Sequence, residues 1–338
     1  MENPTVVFPG PKQVIIEDRP RPTLEAGEVL LQTRCSLIST GTELTIFSGE
    51  YPADSLWATR WGKFPATPGY SNIADVVEIA PDVDPSWLGR RVASGATHRR
   101  YMNLPTSRIN LIQHPEIPDE DASFFTISGI VMNGVRRAQV KWGDSVVIFG
   151  MGLLGQMTAR YCRLSGAWPV ICVDVSDARL AMLPDDPGII RVNPRERAVL
   201  EVVEEATRGR KADCAFELTG NQDLIPQEIT VVRRQGRFAI LSSPRGNTDF
   251  NFCDLCHYPS ITIIGIHTLS HPAVETLDYQ WTFERHTELF FDYLAAGQVQ
   301  TAPLITHRAP WSQAPEMFQM LLADRSAAMG VVLDWTAE

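Results

Sequence analysis

The chain has 338 residues, of which 44% are hydrophobic and 21% charged, and its formal net charge at pH 7 is −10. This length predicts two domains rather than one core, and the composition is ordinary for a globular protein. The negative charge argues against nucleic acid or an anionic membrane surface as a partner. Neither an apolar run of about 18 residues nor a signal-peptide pattern occurs, so we expect a cytoplasmic protein that does not enter a membrane.

Short β-strands are predicted for about the first 125 residues. Pro and Gly separate these strands at close intervals, as a small convoluted barrel requires. The predicted strands are 6–8, 14–16, 28–35 and 73–79.

A glycine-rich motif follows a buried strand in the middle of the chain. The apolar run 146–149 ends at Gly150, Gly152 and Gly155, and apolar residues then recur at helical intervals. The first glycine permits a tight strand-to-helix turn, the second lets the backbone approach a pyrophosphate, and the third lets the helix pack closely. The motif predicts a dinucleotide site on a helix N-terminus, the alternative being a turn that binds nothing. We assign to this site Gly150, Gly152, Leu153, Leu154 and Gly155.

A second buried strand, 170–173, ends in Asp174, which is predicted to select the cofactor. An acidic side chain at this point accepts hydrogen bonds from both ribose hydroxyls and repels a 2′-phosphate. NAD is therefore favoured over NADP. Arg179 is expected to flank the adenine rather than to bind a phosphate.

From about residue 128 the pattern alternates between helices and buried strands, which is typical of a doubly wound parallel sheet. With the two strands around the glycine motif, about six strands are predicted, a full Rossmann complement. The tail predicts two helices and a final strand. The remaining predicted strands are 189–192, 212–218, 237–241, 261–266 and 330–334, and the predicted helices between them are 194–207 and 224–234.

Six cysteines are scattered along the chain and do not form a disulfide framework. Cys162, Cys172 and Cys214 lie in apolar patterns and are predicted to be core residues. Cys253 and Cys256 resemble half of a metal or redox site, but no second C-x-x-C completes a tetrahedral zinc site. We therefore favour loop or core cysteines at that position.

The order of these parts resembles the medium-chain dehydrogenase/reductase superfamily. Residues 27–31 resemble an early strand of that family, 140–147 the approach to its first Rossmann strand, and 302–308 its late turn back into the catalytic domain. The resemblance covers nearly the whole chain. It implies an α/β fold in which a Rossmann doubly wound parallel sheet is inserted in a GroES-like β-rich catalytic domain.

The resemblance also implies the domain boundaries. The catalytic domain would comprise residues 1–127 and 268–338, and the NAD-binding domain residues 128–267. A loop that resembles the one lying over the cofactor contains Thr219, which is a further expected cofactor contact. A homodimer through the Rossmann edge near 261–267 is what the family implies.

The zinc-ligand positions of that family carry other residues here. Thr40 stands where zinc alcohol dehydrogenases have a ligand cysteine, and Tyr70 where they have a ligand histidine. The third ligand falls near Phe125 or Thr126, and the cysteines of the structural-zinc lobe are missing. Because zinc needs Cys, His or carboxylate donors at fixed geometry, we expect no bound metal.

Two short strings, 38–43 and 68–70, resemble a narrower zinc-free branch of the superfamily. That branch includes bacteriochlorophyllide-type and sugar or cyclitol alcohol dehydrogenases. It implies an NAD-dependent oxidoreductase that interconverts a secondary alcohol and a ketone on a sugar, cyclitol or related biosynthetic intermediate. Two alternatives stay open: an NAD(P)H-dependent quinone or enoyl reductase, and a dinucleotide-binding protein without catalysis.

Without zinc, protein side chains must manage the proton and the charge on the substrate oxygen. Tyr70 is the first candidate, the alternative being a packed aromatic in the vacated site. Thr42 matches a hydroxyl that contacts the substrate oxygen in zinc relatives, and Thr45 matches an outer relay histidine. Glu43 either exchanges a proton or holds the fold through an arginine pair. His267 either exchanges a proton or is a satisfied loop histidine.

Two tryptophans, Trp57 and Trp61, lie between the former ligand positions. Aromatic walls suit the face of a sugar or a flat macrocycle, and a hydrophobic lid or a subunit contact is the alternative. With Thr40, they are the predicted contacts of a small-molecule substrate.

Overall fold

A mixed, mostly antiparallel sheet lies in the part of the protein that contains both ends of the chain. The computed structural model describes residues 1–337, which separate into two units. One unit consists of Met1–Thr126 and the chain from Thr287 onward, and the other is Ile127–His286.

The strands and α-helices are as follows in chain order. The strands are β1 (Asn3–Val7), β2 (Ile15–Arg19), β3 (Glu28–Ile38), β4 (Asn72–Ile79), β5 (Arg91–Ser94), β6 (Tyr101–Pro105), β7 (Ile109–Leu111), β8 (Val146–Phe149), β9 (Val170–Val173), β10 (Ile189–Val192), β11 (Ala212–Glu217), β12 (Val232–Ile240), β13 (Thr262–Gly265), β14 (Ile305–Pro310) and β15 (Gly330–Asp334). The helices are α1 (Thr42–Ser48), α2 (Asp119–Ala122), α3 (Phe125–Arg137), α4 (Leu153–Leu164), α5 (Asp177–Ala181), α6 (Val199–Ala206), α7 (Ile225–Glu228), α8 (Phe283–Ala295) and α9 (Ala314–Ala323). None of them is long and apolar enough to cross a membrane.

The sheet of the first unit joins the two ends of the chain. Its strand order is β14-β15-β3-β4-β5-β7. The long strand β3 pairs with β15 near its C-terminal end and with β6 near its N-terminal end. The rings of Phe8, Phe47 and Phe318 pack together under this sheet, with centroids 4.9 to 5.7 Å apart. Since Phe318 lies on α9 and the other two precede residue 50, this contact binds the C-terminal segment to the N-terminal one.

The second unit contains a six-stranded parallel sheet in the order β10-β9-β8-β11-β12-β13. The central strands β8 and β9 are buried along their whole length, as strands covered by helices on both faces must be. Cys162, Cys172 and Cys214 are buried in this unit, as predicted. The predicted α/β fold, with a parallel Rossmann sheet and a β-rich second part, is confirmed.

Residues 268–286 belong to the second unit, whereas the resemblance had returned the chain to the catalytic domain at residue 268. These residues pack against α3. Asn133 on that helix donates to Ser270 Oγ at 2.9 Å, and Tyr279 OH donates to Asn133 Oδ1 at 2.5 Å. The two polar contacts explain why the segment stays with the second unit.

The predicted helix over 224–234 is confirmed over 225–231 and wrong beyond it. Helix α7 is a single turn, a 3-10 turn follows at Ile229–Val231, and β12 begins at Val232. The spacing of Ile225, Ile229 and Val232 imitates a helical face because each of these residues is buried in the same core. Pairing of β12 with β11 and β13 decides the conformation of the residues that follow.

Candidate functional site

The glycine-rich turn between β8 and α4 has two glycines that the fold requires and one that leaves space. Gly150 has φ +93°, and a Cβ there would lie 2.9 Å from the Leu218 carbonyl. A Cβ on Gly155 would lie 1.9 Å from the Gly150 oxygen. At Gly152, by contrast, a Cβ would meet nothing within 4 Å. The open position is the one at which a ligand's phosphates would approach the backbone.

Asp174 braces this turn. Its Oδ2 accepts from the Met151 N–H at 2.7 Å and its Oδ1 from the Ser176 N–H at 2.8 Å. Arg179 Nη1 lies 3.9 Å from Oδ2. Each carboxylate oxygen has a second lone pair, so the side chain can hold the turn and still accept from a ribose hydroxyl.

A buried carboxylate also shapes the loop after β11. Glu217 Oε1 accepts from Thr219 N–H and Thr219 Oγ1, both at 2.7 Å, and from Gly220 N–H at 2.8 Å. Ser242 donates to the other oxygen. The hydroxyl of Thr219, an expected cofactor contact, therefore holds its own loop in place. The string E-x-T-G, from Glu217 to Gly220, is the feature of the sequence that corresponds to this loop.

Glu228 lies close enough for the charge of Glu217 to act on it. It is 3% exposed, and neither of its carboxylate oxygens has a hydrogen-bond partner in the described structure. Burial, and secondarily the charge of Glu217, raises the pKa of Glu228 from its ordinary value of 4.5 to about 9. Glu228 is therefore a neutral acid at pH 7.

In the first unit, Tyr70 lies in a group of hydroxyls and one carboxylate. The hydroxyls of Ser39 and Thr42, the latter at the start of α1, lie close enough to the Tyr70 phenol to lower its pKa. Burial, with the charge of Glu43, raises the pKa of Tyr70 to about 12. The phenol stays protonated at neutral pH, so it is suited to donate a hydrogen bond or a proton to a substrate oxygen.

Glu43 pairs with a histidine and not with the arginine that the sequence suggested. Its Oε2 lies 2.9 Å from His98 Nε2, and its Oε1 accepts from the Ser39 N–H at 2.9 Å. Both Glu43 and His98 are buried. The sequence does not predict the role of His98, because nothing in residues 95–100 shows that this string folds against α1.

The remaining predicted residues are spread over both units. Thr45 donates to Gly41 O at 2.8 Å, so its hydroxyl is used within its own helix. The Thr40 carbonyl accepts from Arg325 at 3.3 Å. His267 is an exposed residue of the second unit, and its Nδ1 accepts from the Leu269 N–H at 3.2 Å.

The two tryptophans belong to an aromatic group in a short π-helical turn, Trp57–Trp61. Trp57 is buried, with Tyr51 stacked on it at 6.4 Å and Trp61 edge-on at 5.2 Å. Tyr51 OH donates to Gly62 O at 3.2 Å. The indoles therefore pack on one another, and a substrate contact remains a prediction.

Comparison with known proteins agrees with this arrangement. Residues 154–283 match the family model described as zinc-binding dehydrogenase. An L-threonine 3-dehydrogenase from Pyrococcus horikoshii is 27% identical over 360 residues, and the match covers 96% of each chain. Together these matches support the medium-chain dehydrogenase/reductase family for this chain.

Two further similarities extend over almost the whole chain. A D-guloside 3-dehydrogenase from Escherichia coli K12 is 24% identical, over 93% of this chain and 95% of that one. A structure described as a short chain alcohol dehydrogenase from Escherichia coli CFT073, in complex with NADH, has a TM-score of 0.81. It is 16% identical, over 98% of this chain and 99% of that one. That structural likeness shows a shared fold.

The positions at which medium-chain dehydrogenases hold zinc do not carry zinc donors in this chain. Thr40 and Tyr70 offer neutral hydroxyls, and Thr126 Oγ1 donates to the Tyr70 carbonyl at 3.0 Å. Phe125 is a buried core residue. In residues 1–337 no three or more His, Cys, Asp or Glu side chains form a group that could hold a metal ion. The donor set at these positions therefore does not fit zinc.

The neutral Glu228 predicts a pH-dependent stability. The folded-state pKa of this acid lies above its unfolded value, so the unfolded state releases the proton first and wild-type stability falls as pH rises between the two values. Glu228→Gln lacks this loss. The melting temperature of Glu228→Gln should therefore exceed that of the wild type by several degrees more at about pH 9 than at about pH 6. Each pH unit in this interval lowers the free energy of unfolding of the wild type by up to about 1.4 kcal/mol.

Scanning calorimetry at both pH values measures this difference. The matched control is Glu201→Gln, on the exposed face of α6, which should change little at either pH. An advantage of Glu228→Gln that is equal at both pH values would show that Glu228 is not a buried neutral acid.

Proposed function

We propose that this chain is an NAD-dependent oxidoreductase that interconverts a secondary alcohol and a ketone without zinc. The observation that carries the proposal is Tyr70, a protonated phenol at a zinc-ligand position of the family, with the hydroxyls of Ser39 and Thr42 and the charge of Glu43 close enough to act on its pKa. Relatives named as dehydrogenases of L-threonine and D-guloside support the reaction class. The substrate class we propose is a sugar, a cyclitol or a related small biosynthetic intermediate.

The glycine turn supports the cofactor. Gly152 leaves room over the backbone, and α4 begins there without a side-chain cap, so the N–H groups of Leu153 and Leu154 are available to a phosphate. Asp174 lies at the end of β9 with its charge near the turn. We propose that it binds the adenosine ribose, with Arg179 and Thr219 as flanking contacts.

In the proposed reaction, bound NADH supplies a hydride to the carbonyl carbon. The Tyr70 O–H donates to the carbonyl oxygen, stabilises the negative charge that develops there and passes its proton to it. The hydroxyls of Thr42 and Ser39 are close enough to the phenol to act on its pKa, and we assign to them the role of orienting it. We assign Trp57, Trp61 and Thr40 to the substrate and keep Glu43 and His267 as candidates for proton exchange.

The acid at the end of β9 predicts cofactor preference. NADH should bind at least about tenfold more tightly than NADPH, because the Asp174 carboxylate repels a 2′-phosphate. Asp174→Asn, which keeps an acceptor and removes the charge, should narrow that ratio. Titration calorimetry with both cofactors measures it, with the exposed Asp177→Asn as the control. Tighter binding of NADPH by the wild-type protein would contradict the assignment and favour the quinone or enoyl reductase.

Removal of one hydroxyl tests the proton donor. Tyr70→Phe should lower kcat for ketone reduction about 10²-fold or more, the usual contribution of acid–base catalysis, and leave NADH affinity unchanged. Turnover with a panel of sugar, cyclitol and polyol ketones measures it, with exposed Tyr258→Phe as the control. An unchanged kcat would transfer the role to Glu43 or His267. Tight NADH binding without turnover on any member of the panel would favour the non-catalytic alternative.

We also propose a homodimer through the edge strand of the parallel sheet. β13 is the last strand in that sheet, and Thr262 and Gly265 on it are exposed. Gly265→Glu has room in the monomer, since a Cβ there meets nothing within 4 Å. It should dissociate the dimer by bringing like charges together across the paired edges. Analytical ultracentrifugation measures the mass of the wild-type protein and of the variant, with Gly95→Glu as the control that should leave the mass unchanged. A wild-type protein that sediments as a monomer would contradict the proposal.

A further inference from the structure

Cys253 and Cys256 lie in a short turn before the edge strand β13 and take no part in the sites described above. All six cysteines of the chain are in the described residues, and each is a free thiol. Cys253 is exposed and Cys256 is half-buried, whereas the other four are buried. A reagent in water can therefore reach this pair and not the remaining thiols.

Hydrogen bonds and core contacts fix the shape of this turn. The Tyr258 N–H donates to Cys253 O at 2.8 Å, which closes one wide helical turn. Phe250, Leu255 and Ile261 pack into the hydrophobic core of the parallel sheet. Because these contacts come before, within and after the turn, the two cysteines are held at a defined separation.

That separation suits a disulfide. Residues three positions apart on a helical turn lie on the same face. Helix geometry places their Cα atoms about 5 Å apart, inside the range of about 4.4 to 6.8 Å that a disulfide spans. Since Leu255, which lies between the cysteines, packs into the core, the cysteines occupy the outer side of the turn. A disulfide can therefore close across it with a small adjustment of the chain.

The neighbouring side chains do not turn the pair into a metal site. His257 follows Cys256 directly and is exposed. The Asp254 carboxylate accepts from Asn251 Nδ2 at 2.7 Å. Over the whole described part of the chain, no three or more His, Cys, Asp or Glu side chains form a group that could hold a metal ion. The pair is therefore a dithiol, and its chemistry is thiol–disulfide exchange.

The two thiols have different surroundings, which gives each a separate role. Cys253 is the more exposed and meets an external disulfide first. Cys256 Sγ donates to Ile261 O at 3.4 Å, so the second thiol is held against the end of the turn. Because oxidation removes this S–H donor, the hydrogen bond favours the reduced form and makes a disulfide here easy to reduce.

We propose that Cys253 and Cys256 form a reversible redox pair that exchanges with a low-molecular-weight disulfide such as glutathione disulfide. In the first step the Cys253 thiolate attacks one sulfur of glutathione disulfide. A mixed disulfide forms, the S–S bond of the reagent breaks, and the first glutathione leaves as a thiolate that takes a proton from water. No part of this exchange depends on the proposed dehydrogenase reaction.

In the second step Cys256 resolves the mixed disulfide. Its sulfur loses its proton to water and attacks Cys253 Sγ, the bond between Cys253 and glutathione breaks, and the second glutathione leaves and is protonated. In sum, two protein thiols are oxidised to one disulfide, and one glutathione disulfide is reduced to two glutathione thiols.

The buried cysteines provide an internal contrast. Burial raises the pKa of Cys172 and of Cys214 to about 12. It also raises the pKa of Cys35 and of Cys162 well above the ordinary value of a thiol. Since the thiolate is the form that attacks a disulfide, these four residues should not react while the protein is folded.

The test counts thiols after the folded protein has been incubated with glutathione disulfide. The exchange is stopped with acid, and the remaining thiols are alkylated in denaturant with N-ethylmaleimide. The wild type should lose two of its six thiols. The mass of the intact protein gives this number, and digestion should locate one bond between Cys253 and Cys256. Excess reduced glutathione should then restore all six thiols.

Two variants separate the roles of the cysteines. Cys256→Ser keeps a hydroxyl that can donate to Ile261 O but lacks the resolving thiol, so it should accumulate the mixed disulfide, seen as the mass of one added glutathione. Cys253→Ser lacks the exposed thiol and should take up glutathione about tenfold more slowly than Cys256→Ser. The matched control is Cys162→Ala, which removes a buried thiol and should form the same disulfide as the wild type.

The wild type carries the decisive measurement, so the result does not require that either variant folds. Retention of all six thiols after incubation overturns the proposal. So does glutathione that stays attached to Cys253 in the wild type, because Cys256 would then not reach it. A disulfide that excess reduced glutathione leaves intact also overturns it, since the pair would be a structural cross-link and not a reversible one.

Discussion

The close contact between Gly155 and the Gly150 carbonyl is the constraint on which the parallel-sheet unit depends. No side chain fits between them, so α4 lies directly on the end of β8. That contact places the helix N-terminus over the carboxyl edge of the sheet, where β9 ends in Asp174 and β11 in Glu217. In open α/β sheets this edge is the usual place for a ligand. The geometry of the glycine turn therefore brings together the charges that follow the neighbouring strands.

Two buried carboxylates organise the loops of the candidate sites in the same physical way. Glu217 collects hydrogen bonds from the loop after β11, and Glu43 collects them from His98 and from the loop before α1. A buried charge is costly unless several donors face it, so each carboxylate requires its loop to adopt one conformation. Glu228 differs from these two carboxylates. It has no donor and stays neutral instead.

The pattern of the sequence was sufficient for the fold and for the dinucleotide motif. Strand, glycines, helix and terminal acid occur within about 30 residues of the chain, so their order alone carries the information. The helix predicted over 224–234 extends too far, into β12, for a local reason, because the apolar spacing there fits both a helix and the shared core that α7 and β12 contact. The histidine partner of Glu43 was missed for the opposite reason, since 55 positions separate the two residues.

The sequence by itself determined that Thr40 and Tyr70 stand where the resemblance expects zinc donors, and where the glycine-rich turn lies, because both follow from residue type at neighbouring positions. Only the tertiary structure decided what surrounds the Tyr70 phenol. The protonation of the phenol depends on the burial of its ring and on the charge of Glu43. The Glu43 carboxylate is held in turn by His98, which contacts Ser36 and through it Trp335, and three distant segments supply these side chains. Electrostatic effects of this kind arise from distances across the fold, and spacing along the chain does not contain them.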